Sequence, residues 1–175
     1  IFAFVVDGGR FISKSFANIF YKAFGFLLRK HELDKEKKNL TGATYVLLSA
    51  LVCALIFPKV IFVTAFTILI ISDTMAALIG RKFGKIKFLR KSLEGTLSFF
   101  ISASIVVIFT PKVGGFPMEY VIGFIAAFVG AIVENISYGL ADDNLTIPLS
   151  VGLTIWALYL IIFPNLDLIL LNVPR

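Results

Sequence analysis

The fold is decided by residues 60–80, which read VIFVTAFTILIISDTMAALIG. The only charged side chain in this run of 21 residues is Asp73. About 20 consecutive apolar residues in a helix cross the roughly 30 Å hydrocarbon layer of a bilayer. Because the run is continuous rather than alternating, it predicts a transmembrane helix and not a strand of a membrane barrel.

The composition of the whole chain also indicates an integral membrane protein. Of its 175 residues, 58% are apolar and only 16% are charged, and the mean hydropathy is +0.93. Soluble domains have about 45–50% apolar and about 25% charged residues, so this chain cannot easily cover a water-facing surface. The single cysteine, Cys53, excludes an internal disulfide, and the single histidine, His31, excludes a histidine-rich metal centre.

Four further apolar runs are of similar length. With the first run they give five predicted spans, at residues 41–57, 60–80, 93–110, 117–137 and 145–163. The opening stretch, residues 1–28, mixes charges with aromatic residues and predicts the end of another span followed by an interfacial amphipathic helix. We therefore expect an all-α, polytopic transmembrane helix bundle, a single integral membrane domain over residues 1–175. Because the chain begins at Ile1, we also expect an N-terminal segment upstream of it.

Basic residues are distributed unevenly between the two sides of the predicted bundle. One side carries eleven: Arg29, Lys30, Lys35, Lys37, Lys38, Arg81, Lys82, Lys85, Lys87, Arg90 and Lys91. The other side carries three: Lys59, Lys112 and Arg175. By the positive-inside rule, the side with eleven is cytoplasmic.

Acidic residues within or beside the spans collect at this same side. They are Asp73, Glu94, Glu134, Asp142 and Asp143. Charged residues in membrane segments are costly and mark functional sites by default. Since the opposite side holds only Glu119 and Asp167, we expect no comparable cluster there, and a polar pocket at the cytoplasmic ends of the helices.

Small residues line one face of each of three spans. They are Ala76, Ala77 and Gly80, then Gly95, Ser98 and Ser102, then Gly123, Ala127, Gly130 and Ala131. Such spacing lets membrane helices approach each other closely. The three faces are predicted either to be helix contacts alone or to lead to a site at the membrane surface.

The loop after the second predicted span carries the strongest chemical signal. Gly80 and Gly84 permit close backbone approach, and six basic residues beside them can neutralise phosphates. The helix start near Leu93 presents unpaired amides to an anion, and the carboxylates suit a nucleotide-bound Mg²⁺. A juxtamembrane loop that sets topology or contacts anionic lipid has the same composition, so these residues alone leave both interpretations open. No P-loop motif occurs. Asn144, after the acidic pair, is a candidate N-cap of the last span.

These motifs resemble those of a known family. The residues that carry the resemblance are 72–85, 91–95, Glu134 and 142–149, and it extends roughly over residues 29–163. They resemble the dolichol kinase, phytol kinase and CTP-dependent diacylglycerol kinase family, whose short prokaryotic members are similar in size. Such proteins are multi-pass enzymes that phosphorylate a lipid alcohol, typically with CTP. They usually start with a further helix that bears a basic and histidine motif. The sequence begins at Ile1 and does not include this helix.

The resemblance implies transfer of the γ-phosphoryl group of CTP, with Mg²⁺, to diacylglycerol or a polyprenol- or dolichol-type alcohol at the cytoplasmic face. The implied catalytic residues are Asp73, Lys91, Glu94 and Glu134. The implied nucleotide-binding residues are Thr74, Gly80, Arg81, Lys82, Gly84, Lys85, Ser92, Gly95 and Asn144, and the implied metal ligands are Asp73, Asp142 and Asp143. In this interpretation, Glu94 and Glu134 either orient basic residues or bind metal. The expected partners are the lipid alcohol, the nucleotide and the bilayer, without nucleic acid.

Two other functions stay open. Phosphatidate cytidylyltransferases share the Ser72-Asp73-Thr74 type of motif, but their long carboxy-terminal signature is replaced here by the acidic residues before Leu145. That difference favours the kinase. A non-catalytic membrane protein or small transporter is less favoured, because transporters place ionisable groups near the midplane and this chain confines them to one face.

Overall fold

The computed structural model describes residues 2–25, 41–137 and 142–169. Its elements are α1 (Phe2–Ile12), α2 (Lys14–Phe24), α3 (Gly42–Ile56), α4 (Lys59–Ile68), a π-turn (Leu69–Asp73), α5 (Thr74–Phe83), β1 (Lys87–Phe88), β2 (Lys91–Ser92), α6 (Leu93–Phe109), α7 (Pro117–Ile136) and α8 (Asp143–Ile162). About 80% of the described residues are helical, which confirms the all-α class. The hairpin β1–β2 was not predicted. His31, Arg175 and the basic residues 29–38 lie outside the described residues.

Within the part of the chain that the structure describes, three helices are long and apolar enough to cross a membrane. They are Lys59–Phe83, which includes the π-turn, Pro117–Ile136 and Asp143–Ile162. The two other predicted spans correspond to α3 and α6, apolar helices of 15 and 17 residues, so five complete spans are not confirmed. Each of these shorter helices ends two residues before a proline, Pro58 or Pro111, which has no amide hydrogen to continue a helix.

The chain divides into two compact units, Ile1–Leu48 and Ser49–Arg175. In the first unit, the Ser13 hydroxyl accepts the amide hydrogen of Phe16 and so begins α2. A buried ion pair joins Asp7 to Arg10, and Arg10 also donates to the hydroxyl of Tyr21 at 2.9 Å. The opening stretch is thus two short helices, and the hydrogen bond from Arg10 to Tyr21 joins them. The single membrane domain stays a prediction.

In the second unit, α6 packs against α5 and α7, and α8 packs against α7 and α4. Small residues make these contacts close. An added Cβ would lie 2.4 Å from Val107 at Gly123 and 2.8 Å from Val151 at Gly130. The predicted small-residue faces are therefore helix contacts. The outer faces expose large apolar side chains, as helices in lipid do; examples are Ile101, Ile105, Leu153 and Leu160.

A buried carboxylate closes the connection between α6 and α7. Glu119 is 2% exposed, and its oxygens accept three backbone amides at 2.7–3.0 Å. The Tyr159 hydroxyl of α8 donates to Glu119 Oε2 at 2.7 Å. The three amides are those of Val113, Gly114 and Phe116. Glu119 thus pairs two amides of the loop before α7 and the amide of its N-cap residue.

Lys112 lies beside this carboxylate. Its ammonium donates to the carbonyl oxygens of Val107 and Thr110, each at 2.6 Å, at the end of α6. Burial lowers the pKa of Lys112 below its ordinary value, and the charge of Glu119 opposes that shift. The expectation of no comparable polar cluster here was wrong, because Glu119, Lys112 and Tyr159 lie together. The sequence did not indicate this cluster, since Tyr159 is 40 residues further along the chain than Glu119.

We expect Tyr159→Phe to lower the free energy of unfolding by about 1 kcal/mol, since interhelical hydrogen bonds in membrane proteins average about 0.6 and reach about 1.7 kcal/mol. Thermal unfolding in detergent measures the change. Tyr120→Phe is the matched control, because it keeps the ring that lies 4.6 Å from the Lys112 ammonium. Equal stability of Tyr159→Phe and the unsubstituted chain would contradict a stabilising role for this bond.

Candidate functional site

The predicted basic loop between α5 and α6 forms a short antiparallel hairpin. Lys87 pairs with Ser92, and Phe88 pairs with Lys91. The Ser92 hydroxyl accepts the amide hydrogen of Gly95 at 3.2 Å and caps α6. One of the amides predicted to receive an anion at this helix start is therefore bonded within the chain.

Glu94, in the first turn of α6, fixes the beginning of this loop. Its Oε1 accepts the amide hydrogens of Lys85 at 3.0 Å and Ile86 at 3.1 Å. The carboxylate thus orients the loop backbone through hydrogen bonds to amides. Its implied catalytic role stays a prediction.

The structure brings Lys91, Glu134 and Asp143 together. The Lys91 ammonium lies 2.5 Å from Glu134 Oε1 and 3.8 Å from Asp143 Oδ2. Glu134 is 4% exposed, at the end of α7, and its other oxygen, Oε2, is buried without a hydrogen-bond partner among the described residues. A buried carboxylate oxygen without a donor carries an uncompensated desolvation cost, which distinguishes this atom from the paired oxygens of Glu119.

Asn135 is a site residue that sequence reasoning missed. It is fully buried, and its Oδ1 accepts the amide hydrogens of Arg90 at 2.9 Å and Lys91 at 3.3 Å. Its Nδ2 donates to the Thr96 hydroxyl at 2.6 Å. Asn135 therefore ties the hairpin to both α6 and α7 and places Lys91 beside Glu134. The available signal was a second polar residue directly after Glu134 at the end of an apolar helix.

The predicted glycines hold α5 against α6. An added Cβ on Gly95 would lie 3.2 Å from the Ala76 carbonyl oxygen and 3.3 Å from Gly80 Cα. On Gly84 it would lie 2.2 Å from the Gly80 carbonyl oxygen and 2.7 Å from Ser92 Oγ. These glycines therefore permit close packing, and their implied contact with a nucleotide stays a prediction.

Asp73 ends a π-turn in the middle of the Lys59–Phe83 helix. Such insertions are frequent at functional sites. Asp73 is half-buried, and the hydroxyl of the preceding Ser72 is fully buried without a partner among the residues described. The Thr74 hydroxyl donates to the Ile70 carbonyl oxygen at 2.7 Å. The catalytic role of Asp73 remains a prediction.

The acidic pair begins α8. Asp142 Oδ1 accepts the backbone amide of Asn144 at 2.9 Å and its side-chain amide at 2.6 Å. Asp142 is therefore the N-cap, and the expectation that Asn144 caps this helix was wrong; Asn144 is the donor instead. Within residues 2–25, 41–137 and 142–169, no three His, Cys, Asp or Glu side chains group to hold a metal. The metal role of Asp73, Asp142 and Asp143 stays a prediction.

Three implied phosphate-binding residues, Arg81, Lys82 and Lys85, are exposed around the hairpin. The site thus has an acidic side, formed by Glu134 at the end of α7 and Asp143 at the start of α8. Its basic side is exposed and lies at the end of α5. Lys91 lies between the two.

Comparison with known proteins identifies distant homologues. An uncharacterised protein of Rickettsia prowazekii is 37% identical over 112 residues, which are 63% of this chain and 55% of that protein. The CTP-dependent diacylglycerol kinase 1 of Schizosaccharomyces pombe is 29% identical over 159 residues, 83% of this chain and 71% of that protein. The phytol kinase of a Synechocystis species is 36% identical over 92 residues, 49% of this chain and 39% of that protein.

By their names, two of these relatives are lipid kinases. The chain spans just over half the length of the Rickettsia protein. No family model matches the chain. No solved structure matches it either.

We expect Asn135→Leu to lower the free energy of unfolding by about 1–3 kcal/mol, because it leaves two part-buried amides of the hairpin without their acceptor. Thermal unfolding measures this loss, and hydrogen exchange at Arg90 and Lys91 localises it. Asn135→Asp keeps the acceptor oxygens and should retain most of the protection at these amides. Unchanged exchange in Asn135→Leu would contradict the positioning role.

Proposed function

We propose that this chain transfers the γ-phosphoryl group of a nucleoside triphosphate, CTP by resemblance, to the hydroxyl of a membrane lipid alcohol. The lipid oxygen forms a bond to the γ-phosphorus, the bond to the β–γ bridging oxygen breaks, and the nucleoside diphosphate leaves. The hydroxyl proton is released. Such transfers need positioning and charge neutralisation more than covalent help from the protein.

The observation that carries the proposal is the pairing of Lys91 with the buried Glu134, whose second oxygen is unpartnered among the described residues. An ion pair in which every oxygen and every N–H had a partner would only stabilise the fold. Here an ammonium and a carboxylate oxygen without a partner among the described residues lie together beside an exposed basic loop. Together these groups can bind a phosphate and, at the same time, a hydroxyl or a cation.

The charges around this pair suggest a division of roles. Arg81, Lys82 and Lys85 neutralise phosphate charge from the exposed side, and Lys91 does so from the buried side. Glu134 holds Lys91 in place. Asp73 positions the lipid hydroxyl or holds Mg²⁺.

The carboxylates fit a magnesium ion that arrives with the nucleotide. Magnesium keeps several waters and takes one or two carboxylates together with phosphate oxygens, so a three-carboxylate cage is not required. One or two of Asp73, Asp142 and Asp143 would hold the ion, and Asp143 Oδ2 lies 3.8 Å from the Lys91 ammonium. When bound there, Mg²⁺ supplies positive charge to the phosphates.

We place the site at the cytoplasmic surface of a bundle of five spans. The excess of basic residues on that side supports the orientation. The shorter helices, α3 and α6, measure about 22 and 26 Å at 1.5 Å per residue, and α6 falls at the lower end of the usual range for spanning helices.

The first experiment supplies the detergent-solubilised protein with CTP labelled at the γ- or the α-phosphate, with Mg²⁺ and diacylglycerol, a polyprenol or phosphatidate. We expect only the γ label to enter an alcohol, since the kinase breaks the β–γ bond. Extracted lipid radioactivity measures it. Entry of the α label into phosphatidate would instead identify a cytidylyltransferase. With no transfer from either label, the same assay with ATP follows, and no transfer there would overturn the proposal.

Two variants separate the proposed roles. Asp73→Asn should reduce turnover at least about 100-fold without changing thermal stability, because it removes a charge that orients hydroxyl or metal. Lys91→Ala should raise the apparent KM for nucleotide more than that for lipid, because it removes a phosphate contact. Initial rates over both substrates measure these effects. Full activity of Asp73→Asn would remove Asp73 from the site, and an unchanged nucleotide KM would remove Lys91.

A further inference from the structure

The turn of the hairpin has an unusual residue at its tip. Leu89 and Arg90 form the two-residue turn between β1 and β2, and Leu89 has a φ of +50°. Two-residue hairpin turns need positive φ at their first position, and Gly, Asn or Asp normally supplies it. A leucine is strained there, by about 1–2 kcal/mol for a left-handed residue with a Cβ. Strain of this kind is retained where the side chain has a use.

Packing within the chain does not account for the leucine. The Leu89 side chain is 53% exposed, and Ile86 and Phe83 nearby are 58% and 50% exposed. The backbone of the turn is fixed from the other side, because Asn135 accepts the amide of Arg90, and the Arg90 guanidinium donates to the Ile136 carbonyl oxygen at 3.3 Å. The tip therefore holds an apolar side chain outward on a rigid support.

The charge around the tip is of one sign. The sequence between Asp73 and Glu94 contains six basic residues and no acidic residue. Five of the six are exposed: Arg81, Lys82, Lys85, Lys87 and Arg90. Exposed apolar side chains among basic ones are typical of segments that lie in an anionic membrane interface.

The chain path keeps the tip at the membrane surface. The hairpin begins four residues after Phe83, the last residue of a helix long enough to cross a membrane, and α6 begins directly after β2. Four residues reach at most about 14 Å when fully extended. The hairpin therefore stays beside the headgroup layer.

From these observations we infer that the hairpin is a membrane-interface anchor: Leu89, with Ile86 and Phe83, inserts among the headgroups of anionic phospholipids, while Lys87 and Arg90 on the hairpin contact their phosphates. The inference concerns the outer side of the hairpin and does not rest on the proposed kinase activity. Lys91 and Ser92, on the strand next to α7, remain available to the site.

The test measures the depth of Leu89 in vesicles. A nitroxide is attached to Leu89→Cys in the full chain, in a Cys53→Ala background, since Cys53 is the only native cysteine. The chain is reconstituted in phosphatidylcholine with 0–30% phosphatidylglycerol, and collision with a water-soluble nickel complex is compared with collision with oxygen. We expect exposure to the nickel complex to fall at least about threefold as phosphatidylglycerol increases, and to return in 1 M salt, where screening acts within about 3 Å.

Gly115→Cys is the matched control. Gly115 is an exposed loop residue with a φ of +71° at the other end of α6, and an added Cβ there meets no atom within 4 Å. Its label should respond little to lipid charge. If the Leu89 label is as exposed to water as the Gly115 label in anionic vesicles, or does not respond to lipid charge, the inference is overturned.

Leu89→Asn provides a second measurement that needs no label. Asparagine tolerates positive φ, so we expect the thermal midpoint in neutral micelles to rise by about 1–3 °C. The gain in midpoint that anionic lipid gives the unsubstituted chain should be at least halved in the variant. A lower midpoint in neutral micelles, together with an unchanged gain from anionic lipid, would make Leu89 a packing residue and overturn the inference.

Discussion

A carboxylate at the end of an apolar helix has to be paired, and this requirement organises the second unit of the structure. Helix α7 carries one such group at each end. Glu119 has four donors for its two oxygens, three from backbone amides and one from Tyr159. Glu134 has Lys91 on one oxygen and none on the other among the described residues. The first arrangement is complete and serves the fold, whereas the second has an unpartnered oxygen among the described residues, and the proposed function is placed at that end.

The position of Lys91 depends on contacts far from it in sequence. Gly80 and Gly95 let α5 and α6 approach until backbone atoms touch, which fixes both ends of the hairpin. Asn135 then binds the amides of the turn from α7. A lysine on a two-residue strand would otherwise sample many positions, and the entropy cost of ordering it is met by these contacts. Preorganisation of this kind is what charge stabilisation in phosphoryl transfer requires.

The sequence predicts the helices well and the contacts between them poorly. The apolar runs and the prolines that follow them locate α3, α6 and α8. The length of a run and the missing amide hydrogen of a proline are both properties of the local sequence, so they can be read without the fold. The hairpin escapes prediction because strands of two residues have no periodicity and a Leu-Arg turn lacks the usual glycine or asparagine. The site gathers Lys91, Glu134 and Asp143 as the collection of charges at one side suggested. Asn135 was missed, because the two amides that it binds, those of Arg90 and Lys91, lie 45 and 44 residues before it in the sequence.

The location of the site at the helix ends also fits the chemistry of the two proposed substrates. A nucleoside triphosphate carries several charges and cannot enter the hydrocarbon layer without a large cost in free energy. A lipid alcohol has the opposite constraint, since its apolar stem cannot leave that layer while its hydroxyl lies at the surface. The two can meet only at the depth of the headgroups. Glu134 lies at the end of the apolar helix α7, beside Lys91 of the hairpin that joins α5 and α6, so in the proposed arrangement the pair would lie at the depth where both constraints are satisfied.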